Sequence, residues 1–179
     1  GLQEGRTKYT RGPGTMELCQ SVAEYLQRHH DIESSAEDIV VTPGAKQAIL
    51  YSFLITTIPG DEAILLAPSW ASYGPMLKFI GAVPVHVPVN NDDFHPDIDA
   101  IRAAVTDKTR MILINSPCNP TGAVFTPEEI RSILDIAIEH DLWIVSDEIY
   151  ARMVWVDWPH VSPATLPGGK ERTIVINGW

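Results

Sequence analysis

The residues best equipped for chemistry lie in two polar stretches, each at the end of an apolar run. Met111-Ile112-Leu113-Ile114 leads into Asn115-Ser116-Pro117-Cys118-Asn119-Pro120-Thr121-Gly122, and Leu142-Trp143-Ile144-Val145 leads into Ser146-Asp147-Glu148-Ile149-Tyr150. Short apolar runs bounded by turn residues read as buried strands. Polar residues at the carboxyl tips of such strands occupy the rim where open α/β sheets bind ligands. An Asn at one tip, with an Asp and a Tyr at the next, can grip a flat, polar, ionisable ring. Cys118 stands in the first loop with no His near it in sequence, and reads as a neutral loop residue rather than a nucleophile.

The elements that must position these residues follow from periodicity. Thr15 to His30 carries Met16, Leu18, Cys19, Val22 and Leu26 at helical spacing. Helices are also expected over Ala45 to Ile58, Trp70 to Ile80 and Asp97 to Val105, and from a start at Thr126-Pro127-Glu128-Glu129 to about His140. Strands are expected at Ile39 to Val41, Ala63 to Leu66, Val83 to Val89, Met111 to Ile114, Leu142 to Val145 and Thr173 to Ile176. Pro84 and Pro88 assign the Val83 strand to a sheet edge. The alternation predicts a three-layer α/β/α fold with a mainly parallel sheet. It forms a single domain over 1–179, with a segment 1–14 before an α/β core at 15–179. Trp158 to Gly169, rich in Pro and Gly, reads as a surface loop.

Composition narrows the classes. The 179 residues are 45% hydrophobic and 20% charged, with net charge −10, ordinary for a globular domain. The acidic balance and the lack of a Lys/Arg cluster argue against a nucleic-acid partner. No apolar stretch approaches the roughly 20 residues that span a bilayer, and Gly1-Leu2-Gln3-Glu4-Gly5-Arg6 lacks a signal-peptide core. Two cysteines, Cys19 and Cys118, make no disulfide framework, and a cytoplasmic place is expected. A metal site built on Asp147, Glu148 and histidines has little support. His29 and His30 are helix neighbours on different faces, no His-Glu-x-x-His occurs, and His86, His95, His140 and His160 read as scattered surface residues.

Two further rim loops bear on the ligand. Thr42-Pro43-Gly44-Ala45-Lys46-Gln47 opens a helix, whose free amides suit a phosphate; a Gly in such a turn is as readily structural. Ala67-Pro68-Ser69-Trp70 puts an indole at the rim, where it could stack on a ring or belong to the core.

On Asn115 to Gly122, Ser146 to Tyr150, Pro68 to Tyr73 and Gly44 to Gln47, the chain resembles the class I, fold type I pyridoxal-phosphate-dependent aminotransferases, bacterial aspartate aminotransferase type. The likeness runs from Lys8-Tyr9-Thr10 to Trp179. It implies the large-domain fold of that family, incomplete at its C-terminal end, with pyridoxal 5'-phosphate as cofactor and an amino acid and a 2-oxo acid as substrates. It places Gly44, Ala45 and Lys46 at the cofactor phosphate, Trp70 on the ring, Asn119 and Tyr150 at the phenolic oxygen, and Asp147 at the pyridine nitrogen. Tyr9 corresponds to a Tyr that reaches the neighbouring subunit's phosphate, so a homo-oligomer is expected. In the family, the strand matching Thr173 to Ile176 leads to the Lys that joins the cofactor covalently and carries the proton. Trp179 falls about two residues before it, so no catalytic residue is assigned and the chain alone is expected to be catalytically incompetent. A seventh, antiparallel strand of the family would lie between Ile39 to Val41 and Thr173 to Ile176, so self-association or a rearranged sheet end is expected. A non-catalytic folded fragment or binding module, and a segment of an intact aminotransferase, stand as alternatives.

Overall fold

A computed structural model describes residues 1, 3 and 7–178. Leu2 and residues 4–6 of the start read above for a signal peptide, and Trp179 at the end of the resemblance, lie outside the described residues. The chain divides into two compact units, Gly1–Pro43 and Gly44–Trp179.

In the first unit, α1 spans Met16–His30. The Thr15 side chain accepts the Leu18 amide and starts it, and Asp31 in the left-handed region ends it. Cys19, Val22, Ala23 and Leu26 form its buried stripe. The strand expected at Ile39 to Val41 is not formed. Val40 and Val41 are exposed, and the Val41 amide donates to the Pro13 carbonyl at 2.8 Å rather than to a ladder. β-branched residues favour a strand only where a neighbouring strand and a face to pack on exist.

The second unit holds α2 (Ala45–Thr56), β1 (Glu62–Ala67), α3 (Tyr73–Phe79), β2 (Val83–Pro88), α4 (Ile98–Ala103), β3 (Thr109–Asn115), α5 (Pro127–Glu139), β4 (Trp143–Asp147) and β5 (Thr173–Ile176). Among the described residues the sheet has five strands in the order β2-β1-β3-β4-β5, every pairing parallel. β2 with its prolines takes one edge, as its composition requires, and β5 takes the other. Of the two strands expected to flank a slot, only β5 is formed as a strand.

Successive strand residues face opposite sides, and both sides are apolar. Ile64, Leu66, Ile112, Ile114 and Ile144 pack with Ile101 of α4 and with Ile130, Ile133, Leu134 and Ala137 of α5. Ala63, Leu65, Met111, Leu113 and Val145 pack with Ile49 and Phe53 of α2 and with Tyr73 and Leu77 of α3. These two clusters are the faces of a three-layer α/β/α sandwich. α5 begins with a capping box: Thr126 Oγ1 accepts the Glu129 amide, and the Glu129 carboxylate accepts the Thr126 amide.

From β1 the chain steps outward to β2, then returns to β3 on the other side of β1 and proceeds to β4 and β5. The reversal makes the crevice between the carboxyl ends of β1 and β3 a topological switch point, the preferred place for a ligand. Among the described residues no helix is long and apolar enough to cross a membrane, and no His, Cys, Asp or Glu group is arranged to hold a metal ion.

Candidate ligand pocket at the carboxyl rim

The loop after β3 is closed by its own hydrogen bonds. The Gly122 amide donates to the Cys118 carbonyl at 2.7 Å, the Cys118 amide to the Ala123 carbonyl at 2.8 Å, and the Phe125 amide to Ser116 Oγ at 2.9 Å. Gly122 takes φ +78°, which a side chain would strain. The base of the loop is pinned by Asn115, whose Oδ1 accepts the Asn119 amide at 2.7 Å. Asn119 is thereby set at the rim.

β4 delivers Asp147, which is 4% exposed. Its Oδ2 accepts the Tyr73 hydroxyl at 2.6 Å and its Oδ1 accepts the Ile149 amide at 3.3 Å. Burial raises its pKa; the two donated hydrogen bonds pull it down and the neighbouring Glu148 adds to the rise. Among the described residues no Lys, Arg or His forms an ion pair with it. Tyr73 is 1% exposed, and its hydroxyl is pushed far up by burial and by Asp147, so it remains a donor.

The N-terminus of α2 forms the third wall. Gly44 turns the chain with φ +86°, and no side chain caps the helix. The first amides of a helix have no partner within it, so those of Ala45 and Lys46 point out of the helix start. The Lys46 ammonium stands 5.1 Å from the centre of the Trp70 ring, and that ring meets Tyr73 edge-on at 5.3 Å.

These walls enclose a pocket of about 220 Å3. Of the eight site residues expected from the sequence, Ala45, Lys46, Trp70, Asn119, Asp147 and Tyr150 line it, and Gly44 immediately precedes its helix wall. Tyr9 belongs to the first unit and is fully exposed. Tyr73 and Asn115 also line the pocket and were not assigned from sequence. Their position at the ends of elements was visible; their bonds to residues 74 and 32 places away were not.

Behind the rim, the fully buried Glu148 accepts the Ser146 hydroxyl at 2.8 Å and the Ser162 hydroxyl at 2.7 Å, and faces His160 Nε2 at 3.2 Å. His160 is therefore not a surface residue, and the loop Trp158 to Gly169 is tied inward at Ser162. His95 is likewise half-buried, with Nδ1 2.8 Å from Glu129.

A parallel sheet sheathed on both faces, with a carboxylate, amides, phenols and an indole gathered at its switch point, defines an α/β protein with a ring-sized pocket of mixed polar and apolar lining. The family model for class I and II aminotransferases matches residues 1–178, and the chain belongs to that family. It is 43% identical over 178 residues to a probable aspartate/prephenate aminotransferase of Thermus aquaticus, and 40% identical over 179 residues to an aspartate aminotransferase of Bacillus subtilis. Each alignment covers 99% of this chain and 46% of the relative. Among solved structures it superposes on the aspartate aminotransferase from Thermus thermophilus with maleate at a TM-score of 0.93 and 39% identity, covering 99% of this chain and 46% of that one. It superposes on an aromatic aminotransferase from Pyrococcus horikoshii at 0.94 and 41%, covering 99% and 48%. The chain thus spans about half the length of the relatives it matches. The family is pyridoxal-phosphate dependent.

Proposed function

We propose that the pocket is the ring-binding part of a pyridoxal-phosphate site, and that the protein works in amino-group transfer between an amino acid and a 2-oxo acid. The observation that carries this reading is Asp147: a buried carboxylate with two donors on it, no cationic partner among the described residues, and a pocket beside it.

The residues present fit the cofactor in their chemistry. A flat ring with a protonatable nitrogen, a phenolic oxygen and a phosphate asks for a carboxylate, hydrogen-bonding side chains, an apolar face and free amides; Asp147, Asn119 with Tyr150, Trp70, and the start of α2 offer these. Bound there, pyridoxal phosphate would supply a sink for the electrons left when a proton leaves the α-carbon of an amino acid. Asp147 would hold the proton on the ring nitrogen, because an anion in a water-poor site favours a neighbouring positive charge. Asn119 and Tyr150 would fix the phenolic oxygen and with it the tilt of the ring. The Trp70 indole would cover one ring face and exclude water from it. The amides of Ala45 and Lys46, reached past a Gly44 without a side chain, would take the phosphate at the positive end of α2. Tyr9 would serve the site of a second copy, which makes a homo-oligomer part of the reading; a cytoplasmic setting, in line with two free cysteines, completes it.

Titration with pyridoxamine 5'-phosphate, which needs no covalent bond to the protein, tests the site. Saturable binding to the chain, weakened about tenfold or more by Asp147→Asn, is the expected result. Equal binding by the two proteins would overturn the reading.

A further inference from the structure

Resting on that reading and going beyond it, we infer that Tyr73 is a positioning residue of the site: its hydroxyl fixes the plane of the Asp147 carboxylate and shares its negative charge. The geometry is specific. The hydroxyl donates to Oδ2 at 2.6 Å, from a side chain 1% exposed to one 4% exposed. The other carboxylate oxygen is held by the Ile149 amide at 3.3 Å. With one donor on each oxygen, the carboxylate cannot rotate without breaking a buried hydrogen bond. Tyr73 also meets Trp70 edge-on at 5.3 Å. One side chain thus braces both the wall expected to cover the ring and the acid expected to face its nitrogen. The rest of Tyr73 is seated in the α2/α3 core with Leu77 and Phe53, so the hydroxyl is carried on a rigid support rather than a loop.

A donated hydrogen bond stabilises the ionised form of an acid. Tyr73 therefore acts against the burial of Asp147 and keeps it an anion to lower pH than burial alone would. The groups facing the pair are few. Cys118 comes from the β3 loop, and Glu148 and Tyr150 from the turn after β4. Lys46 of α2 lines the same pocket.

The test is Tyr73→Phe, which removes only the hydroxyl. In the chain without ligand, the Asp147 side-chain carbon signal is followed by NMR against pH. Its midpoint is expected to rise in the variant by about one pH unit or more; an unchanged or lowered midpoint overturns the inference. Pyridoxamine 5'-phosphate binding is then measured in a double-mutant cycle with Asp147→Asn. Loss of the hydroxyl is expected to weaken binding about tenfold while Asp147 is present, with a larger deficit toward acid pH, and to matter little in the Asp147→Asn background. An equal loss in both backgrounds would mark Tyr73 as merely structural and overturn it. If Asp147→Asn binds as well as the parent, the cofactor reading fails, while the ligand-free titration still judges Tyr73.

Discussion

Asn115 and Asp147 are paired in the register of β3 and β4, and Asn115 Nδ2 donates to the Asp147 backbone carbonyl at 2.9 Å while Asn115 Oδ1 accepts the Asn119 backbone amide. One buried side chain thereby joins two strand tips and the loop between the elements they begin. Asn115→Ala leaves a buried carbonyl and an amide without their partner, and should cost about 2 to 4 kcal/mol. Asn115→Asp keeps the acceptor, loses the donor and adds a negative charge beside Asp147, so it should cost more at pH 8 than at pH 5. Urea midpoints at the two pH values check both statements; a stable Ala variant would show that the Asn115 clamp is dispensable.

Asp147 links stability to pH with an inverted sign for a carboxylate. Burial raises its folded pKa above the unfolded value of about 3.9. The folded state then holds the proton more tightly than the unfolded chain. Its contribution to stability is fully present below the unfolded pKa and is lost as pH rises through the folded one. Each unit of rise is about 1.4 kcal/mol at neutral pH. Asp147→Asn should therefore gain stability relative to the parent as pH goes from 4 to 7.5, while weakening pyridoxamine phosphate binding. Denaturation curves showing the parent favoured increasingly with pH would contradict this.

The parts of the site legible in sequence are those fixed by their place on an element. Asn119, Asp147 and Tyr150 follow apolar runs, and in a parallel sheet the ends of such runs share one rim. Thr126, Pro127 and Glu129 announce a helix start through local bonds alone. What was hidden depends on packing in the third dimension. Tyr73 reads as one more apolar residue of α3 until its hydroxyl meets Asp147, and the Ser162 and His160 contacts to Glu148 need a loop folded back onto β4. Ile39 to Val41 misled for the converse reason: three β-branched residues look alike whether or not a ladder is there to receive them.

Lys46 offers its amide and its ammonium to the same pocket. The ammonium sits over the Trp70 ring, an interaction of about 0.5 to 1 kcal/mol at an exposed site. Lys46→Ala should cost no more than that in stability. Its larger effect should be on the phosphate end of a ligand. The parent should bind pyridoxamine 5'-phosphate more tightly than pyridoxamine, and the variant should narrow the gap. Fluorescence titration with both compounds tells the cases apart, since a gap unchanged in the variant would remove the ammonium from phosphate binding.

The outer face of α2 is apolar. Tyr51, Leu54 and Ile55 share a helical stripe and are 45%, 53% and 75% exposed. Such a stripe favours burial against a second surface, in keeping with the homo-oligomer proposed above. Sedimentation velocity should show a species heavier than the monomer whose share grows with concentration, and Leu54→Glu with Ile55→Lys should reduce it without changing the far-ultraviolet circular dichroism. A parent that stays monomeric across the accessible range would set the oligomer aside.

Glu148 adjoins Asp147 in sequence but does a different job. Its carboxylate accepts the Ser146 and Ser162 hydroxyls and faces His160 Nε2, and its amide donates to the Ile176 carbonyl at 2.8 Å, so it ties β4, β5 and the loop after residue 158 into one block. Leaving a buried acceptor without its donor costs about 1 to 3 kcal/mol, so Ser162→Ala should cost that much. Glu148→Ala strips two buried hydroxyls of their acceptor and His160 Nε2 of its neighbour, and should cost about 3 to 5 kcal/mol. In the Glu148→Ala background the Ser162 hydroxyl keeps only the Ala164 amide, which it accepts at 3.3 Å, so its removal should cost less than in the parent. Equal Ser162→Ala costs in the two backgrounds, read from urea unfolding, would mean that the loop is fastened by packing and not by the carboxylate.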